Sequence, residues 1–522
     1  MSHPSQQLLT TGTLIERAGK IYGKRTAILD DEATLTYGQY VDRIARAAAV
    51  LEKMGVKAGQ RFGIISRNSF RHAELINAGY WLGAVPVPVN FRLAVPEIQY
   101  ILEDADCQVL AVEDKFIHLL EEDALSRWQD KVLHISPTPV TDDSLPWPQY
   151  EIELLSAEPK AVYQAAQDDD AILLYTGGTT GRSKGVRLSH SNVISNCIQM
   201  ALTTRAHEAD VYLHMAPMFH SADLLGNVFT LMGGAHVYLQ EFSTTNFLRH
   251  LQDFKVTFSM MPPTIIILLL QEPTLDDYDL SHLRQIFYGS APLDAEWIKR
   301  LMARFPDVDL QQSYGLTETA PILTTLSPTQ NREAMASGNE KLLRSVGIPV
   351  PHVEIRIVDE HDNEVPVGET GEVVVRGPNV TKGYLGMDEL NAQVFRGGWF
   401  HTGDVGCLDE DNKLYLMDRK KDMIITGSEN VYSLEVEVAI YKHPDVSEVA
   451  VVGVPDKKWG EAVFAAIVPR AGATLTEAQI IEHCRQHIGG YKIPRRMAFM
   501  DTLPKTAMGK IQKTELRRMY SE

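Results

Sequence analysis

The feature that most restricts the fold is a change of rhythm along the chain. Over the first 420 residues, helical patterns such as "YVDRIARAAAVLEKMG" (Tyr40 to Gly55) alternate with short β-rich runs such as "RFGIIS", "AVPVPVN" and "CQVLAVE". That alternation predicts α/β layers, because parallel strands need a crossover between them and a helix is the usual one. From about 345 to 417 the rhythm shortens to strands and turns, as in "VEIRIVDE", "GEVVVRG" and "GWFHTGDVGCLDEDNKLYLMD". An antiparallel region, a small sheet or barrel, is expected there. After "DRKKDMIITGSENVYS" come "EVEVAIYKH", "VSEVAVVGVPD", "EAVFAAIVPR" and the helical "TEAQIIEHCRQHI", which read as a compact α+β module. The expected division is a domain of residues 1–420 and a second of 421–522. Charge follows it, with 14 Lys and Arg against 13 Asp and Glu over 421–522 and a balance of −19 before that.

Within the first domain, "AILLYTGGTTGRSKGVRLSH" (Ala171 to His190) runs from a buried strand into a loop rich in glycine and hydroxyls. Gly177, Gly178, Gly181 and Gly185 permit close backbone approaches, and Thr176, Thr179, Thr180 and Ser183 offer hydroxyls. Amides in such a loop point at anions, so with Arg182 and Lys184 beside them the expected guest is a polyphosphate. A Walker loop is excluded, since neither Gly177 nor Gly181 stands at the required distance from a Gly-Lys-Ser/Thr. Gly181 to Gly185 also matches the G-x-S-x-G nucleophile elbow of α/β-hydrolases, which makes a serine hydrolase on Ser183 the rival reading. An elbow, however, turns directly after its strand, and Ser183 lies eight positions beyond Tyr175.

Composition removes other classes. A net charge of −18 argues against general nucleic-acid affinity. The longest aliphatic run, Ile265 to Leu270, is too short to span a bilayer. Cys107, Cys197, Cys407 and Cys484 are too scattered for a disulfide framework or a thiolate metal site, and His483 with His487 makes only a pair. "MSHPSQQLLT" and "MYSE" carry no targeting signal, so a cytoplasmic location is expected by default. A homodimer is carried as an expectation.

Distant stretches join the loop. "SYGLTETAP" (Ser313 to Pro321) sets Glu318 among hydroxyls, the oxygen ligands a magnesium ion on ATP wants. "GWFHTGD" ends in Asp404, "DRKKDMI" supplies Arg419, and "PKTAMGKIQK" supplies Lys510. Singly each is an ordinary turn or ion pair; together they point to one site.

With these motifs in order, the chain resembles the adenylate-forming superfamily of acyl-CoA synthetases, carrier-loading adenylation domains and beetle luciferase, over roughly residues 10 to 518. The resemblance implies a large N-terminal domain, a hinge and a mobile C-terminal domain. Thr176 to Gly185 would wrap the ATP phosphates, with Lys184 as charge partner. Gly289, Ser290, Ala291 and Pro292, with Gln312, Ser313, Tyr314 and Gly315, would frame adenine. Thr317 and Glu318 would meet the α-phosphate and Mg²⁺, and Asp404 and Arg419 would hold ribose. His220 in "APMFHSAD" would sit beside the acyl carboxylate, Lys421 matches the hinge, and Lys510 matches the lysine that bridges carboxylate and α-phosphate.

The implied reaction is activation of a carboxylate as acyl-AMP, with loss of pyrophosphate, and transfer to a thiol. No carrier domain follows Lys510, which lies twelve residues from the end, so coenzyme A is the expected acceptor and a carrier protein the alternative. An ATP-binding protein without catalysis would release no pyrophosphate. Amino-acid-activating relatives place an aspartate where His220 stands, which argues against an amino-acid substrate. The segments Phe219 to Phe229, Met260 to Ile267 and Ala320 to Leu323 carry no arginine for a second carboxylate, so an apolar monocarboxylic acid, fatty or aromatic, is expected. The chain departs from the family at Gly177 and Ser183, both small. It departs again at Ser428 of the Gly427-Ser428 pair along the thiol's path, and at Ser433, where proline is usual.

Overall fold

The computed structural model of the protein describes residues 9–137, 146–176, 182–291, 293–426, 429–456, 458–506 and 510–521. Two compact units emerge, Met1–Glu354 with Arg376–Gln393, and Ile355–Val375 with Val394–Glu522. By compactness, then, the antiparallel region groups with the C-terminal segment.

In the first unit, the described residues form a nine-stranded sheet in the order Ile348–Pro349, Thr324–Leu326, Asp309–Tyr314, Gln285–Tyr288, Phe258–Met261, Val211–His214, Ala235–Tyr238, Thr26–Leu29 and Thr34–Thr36. From Asp309–Tyr314 to Thr26–Leu29 all neighbours are parallel, and the edges are antiparallel. The chain leaves Val211–His214 for one side, to Ala235–Tyr238, then crosses to the other, to Phe258–Met261. Such a reversal opens a crevice at the carboxyl ends of the strands. A second, parallel sheet joins Val85–Pro88, Arg61–Ile65, Cys107–Glu113 and Val132–Ile135, and the Asp170–Thr176 and Lys184–Ser189 strands form a separate hairpin.

The Phe70–Leu82 helix starts where Ser69 Oγ accepts from His72 N and stops at Gly83, whose φ of 74° suits a residue without Cβ. All of its residues are buried except Asn77. A helix buried on every side belongs inside a domain, and here the buried set includes Arg71, His72 and Glu74, two of which are ion-paired.

In the second unit, Glu354–Val358, Gly371–Arg376, Phe400–Leu408 and Leu414–Arg419 form a four-stranded sheet in that order. Among the described residues nothing closes it, so the expected barrel-like region is an open sheet. The other sheet runs Glu429–Val431, Ile424–Thr426, Gly460–Pro469 and Val446–Asp456, with Arg496–Phe499 parallel to Gly460–Pro469. "EVEVAIYKH" is helical, Ser433–Tyr441, with Val436, Ala439 and Ile440 buried on one face. Among the described residues no helix is long and apolar enough to cross a membrane.

Candidate active site

The Asp170–Ser189 hairpin presents its loop between Thr176 and Lys184, which are partners in register. Its outer strand is extended by residues 381–385: Leu385 N donates to Gly185 O (2.8 Å), Arg187 N to Gly383 O (3.0 Å), and Val186 bridges Tyr384. Tyr384 is thereby fixed between two predicted site residues. Its hydroxyl donates to Glu318 Oε1 at 2.8 Å, and Lys184 Nζ lies 4.9 Å from its ring centroid. Thr381 N donates to Glu318 O at 2.7 Å, which holds the backbone of that residue as well. Thr317 Oγ1 pairs with Ser221 Oγ at 3.0 Å, linking the Glu318 turn to the residue after His220.

His220 follows the Val211–His214 strand, at the reversal of strand order. Asn68 brackets the intervening loop, donating from Nδ2 to the carbonyls of His214 (3.1 Å) and Ala216 (2.9 Å) and accepting at Oδ1 from Met218 N (2.9 Å). His220 Nδ1 accepts from Ala222 N at 3.2 Å, which leaves the proton of a neutral ring on Nε2. His220 borders a cavity of about 50 Å³ together with Met218, Asp223, Leu224, Asn77 and Tyr80. Of the expected acyl wall, the Phe219–Phe229 segment lines this cavity; the Met260–Ile267 and Ala320–Leu323 segments do not.

The adenine residues continue two neighbouring parallel strands, where Tyr288 pairs with Gln312. A Cβ at Gly289 would lie 2.5 Å from Ser313 O, and one at Gly315 would lie 1.9 Å from Pro321 O, so both glycines are demanded by packing. Ser290 holds a φ of 68°, a strained angle for a side-chain-bearing residue.

In the second unit, Asp404 and Arg419 are register partners joined by an ion pair of 2.6 Å, with Asp404 buried and Arg419 46 % exposed. Lys510 is exposed on a turn in which Thr506 N donates to Lys510 O (2.7 Å) and Lys510 N to Thr506 Oγ1 (3.2 Å). Lys421 O accepts from Arg517 at 3.3 Å. Ser433 is fully buried and occupied: its N–H donates to Asp418, its hydroxyl lies 3.1 Å from Asp418 Oδ1, and it accepts from Lys513, whose ammonium also meets Glu437 at 2.7 Å. Gly177, Gly178, Thr179, Thr180, Gly181, Pro292, Gly427 and Ser428 lie outside the described residues.

Chemically, the first unit sets a cation and a carboxylate on either side of one tyrosine. Glu318 is 9 % exposed, its carboxylate meets the Tyr384 hydroxyl, and the hydroxyl pair of Thr317 and Ser221 stands at the next residue, oxygens of the kind a hard cation takes. Among the described residues no three His, Cys, Asp or Glu gather to hold a metal, so an ion at Glu318 would complete its shell from water and phosphate oxygens, as Mg²⁺ commonly does. The elbow reading fails on local structure: Ser183 leads straight into the Lys184–Ser189 strand, where an elbow needs a helix. Sequence reasoning missed Tyr384 and Ser221, whose places beside Glu318 and Thr317 come from pairing across the chain.

The AMP-binding enzyme family matches residues 15–385, and the AMP-binding enzyme C-terminal domain matches 435–510. The chain is 36% identical over 509 residues to a feruloyl-CoA synthase of Amycolatopsis sp, covering 97% of this chain and 98% of the relative. It is 33% identical over 514 residues to an indoleacetate–CoA ligase of Aromatoleum aromaticum, covering 97% of each. Among solved structures, ATP-bound MatB from Rhodopseudomonas palustris superposes with a TM-score of 0.87 at 31% identity, over 98% of this chain and 99% of that one. Likeness of sequence and fold over nearly the whole length means that this chain belongs to the AMP-binding enzyme family.

Proposed function

We propose that the protein is an ATP-dependent acid–thiol ligase that activates an apolar monocarboxylic acid, aliphatic or aromatic, as acyl-AMP and passes the acyl group to coenzyme A, with release of pyrophosphate and AMP. The observation that carries this reading is the Lys184–Tyr384–Glu318 junction, a loop cation and a buried carboxylate held by one side chain beside a glycine-rich loop. Relatives named as CoA ligases support the acceptor. A carrier-protein acceptor and the Ser183 hydrolase are not favoured.

A carboxylate has a poor leaving group. Attack of its oxygen on the α-phosphorus of ATP expels pyrophosphate and turns the acid into a mixed anhydride whose AMP departs readily when a thiolate attacks the acyl carbon. Positioning and charge stabilisation do most of this work. Lys184 faces the phosphates from the loop, Thr317 the α-phosphate, and His220 the acid's carboxylate through Nε2–H. Glu318, steadied by Tyr384, would hold Mg²⁺, which when bound neutralises phosphate charge. Asp404 accepts from ribose hydroxyls while Arg419 restrains its carboxylate. Residues 421–522 act as a lid on the 1–420 domain, rotating about Lys421 to exchange Lys510 for the Gly427-Ser428 side between half-reactions.

A panel of carboxylates assayed for pyrophosphate release, with and without CoA, tests the reading. A ligase needs ATP and acid and forms thioester only with CoA. Acyl-ester cleavage without ATP would overturn it in favour of the hydrolase.

A further inference from the structure

A loop that wraps an anion binds it only as tightly as its two ends are fixed, since every other arrangement open to those ends lowers the competent fraction. The neck of the glycine-rich loop is the pair Thr176 and Lys184, and residues 381–385 hold it along one edge. A second grip comes from the neighbouring sheet. There the Val95–Asp104 helix, which leads into the Cys107–Glu113 strand, buries Ile98, Ile101 and Leu102 in the same core that takes Leu173 of the hairpin.

Tyr100 and Asp104 stand four positions apart on this helix and so share a face. Tyr100 OH donates to Ser183 O at 3.2 Å, and Tyr175 OH donates to Asp104 Oδ2 at 2.5 Å. One helix face therefore ties both shoulders of the loop, the strand that enters it at Tyr175 and the segment that leaves it at Ser183. Tyr175 also lies across the returning strand: its register partner is Gly185, where a Cβ would come within 3.0 Å of Tyr175 Cζ. Burial holds the Tyr175 hydroxyl well above the usual tyrosine range, with Asp104 adding to the shift, so it stays a donor. Neither bond uses a backbone N–H, the group an anion needs. The ring of Tyr100 carries the exposed Arg182, whose guanidinium lies 5.3 Å from its centroid.

We propose that Tyr100 and Asp104 are positioning residues for the phosphate chain of the nucleotide, each acting through one shoulder of the loop and neither touching the ligand. The inference rests on the ligase reading for the identity of that ligand. Loss of either bond leaves the hairpin paired and its core filled but lets one end of the neck shift. The cost then falls on a ligand whose phosphates span the loop. ATP has β- and γ-phosphates to lose contact, and AMP has none, whereas a pair with a merely structural role would weaken both nucleotides alike.

Binding of Mg²⁺-ATP and of AMP to the full chain is measured by calorimetry without acid, and pyrophosphate release is measured separately. Tyr100→Phe and Tyr175→Phe each remove one hydroxyl and keep the ring that lies under Arg182 or across Gly185. Each should weaken ATP about fivefold, the worth of about one net hydrogen bond, and leave AMP within about twofold. Asp104→Ala should weaken ATP about tenfold, because a bond to a carboxylate is worth more, while Asp104→Asn, which still offers Tyr175 an acceptor oxygen, should stay within about threefold of the native chain. In the pyrophosphate assay the loss should appear in KM for ATP and not in kcat. ATP binding unmoved in either Tyr→Phe variant, ATP and AMP weakened alike, or Asp104→Asn as impaired as Asp104→Ala would overturn the inference. An ATP-selective loss without pyrophosphate release from any acid leaves it standing and fails the ligase reading instead.

Discussion

The two units treat their chemical side chains differently. In the first, Glu318 is buried, bonded at its carboxylate by Tyr384 and at its carbonyl by Thr381, and the loop before His220 is bracketed three times by Asn68. In the second, Lys510 is exposed, with its backbone bonded to Thr506, and Arg419 is half exposed. Groups built into packed walls are organised before substrate arrives. Groups on exposed turns must be brought to their work, and such segments come from the less stable parts of a fold. The difference suits a reaction in which one set of contacts serves both half-reactions and another serves only one.

The sharpest way to break this comparison is Lys510→Ala. It should lower adenylation from acid and ATP by about three orders of magnitude, at the upper end for one electrostatic contact, while a supplied acyl-adenylate still becomes the CoA thioester. Equal loss in both half-reactions would make Lys510 as fixed in its role as Glu318. Next in size, Glu318→Ala should cut pyrophosphate release about a hundredfold with melting temperature little changed; near-normal turnover would remove Glu318 from the metal.

A pH measurement sharpens the contrast from the stability side. In the first unit, burial pushes the Asp30 carboxyl up to about 6, against a backbone hydrogen bond from Glu32. Its folded pKa exceeds its unfolded one, so the folded chain binds more protons between about pH 4 and 6, and stability falls as pH rises through that window. Asp30→Asn should recover about 2 kcal/mol at pH 7 and flatten the slope, as read by calorimetric unfolding at pH 4.5 and 7; an unchanged slope would assign it to other carboxyls. Tyr384→Phe keeps the ring under Lys184 but removes the hydroxyl from Glu318. It should cost about tenfold in activity, the low end for a hydrogen bond to a charged group, and raise the Mg²⁺ concentration needed for half-maximal rate; an unmoved Mg²⁺ requirement would make Tyr384 a packing residue only. Smallest is Ser433→Pro. Proline is tolerated at the first position of a helix, yet here it deletes both bonds to Asp418 and the one from Lys513. Stability should fall, since hydrogen bonds to charged groups are worth about 1.5–3 kcal/mol each and the proline returns at most about 1 kcal/mol, while thioester formation gains about threefold over adenylation in half-reaction assays. Parallel changes in both would exclude a switching role.

Much of the fold is written locally. The strand-to-glycine transition at Thr176, the alternation of helix and strand, and the shortened rhythm after 345 all reappear as elements, because local pattern and tertiary burial agree there. "EVEVAIYKH" shows where they part: its period of two suits a strand, but Val436, Ala439 and Ile440 bury the face of a helix against the Val446–Pro469 hairpin. The site was legible as motifs, not as a geometry. Asp404 and Arg419 could be named from sequence, but their ion pair depends on strand register. Tyr384 stands 66 positions from Glu318, a pairing that no short motif records.

The buried serine at the start of the Ser433–Tyr441 helix bears on the fidelity of the reaction. Asp418 precedes Lys421, whereas Ser433 and Lys513 follow it. The rotation proposed about Lys421 would part them. On that rotation, the time an enzyme molecule spends with its acyl-adenylate formed but its thiol not yet admitted would depend on that small knot, since each ~1.4 kcal/mol in its strength would change the occupancy of the arrangement it holds tenfold. Delay exposes a mixed anhydride to water. The knot's expected signature is leakage: the share of ATP consumed that yields free acid and AMP instead of thioester, a yield that would then answer to a serine amide.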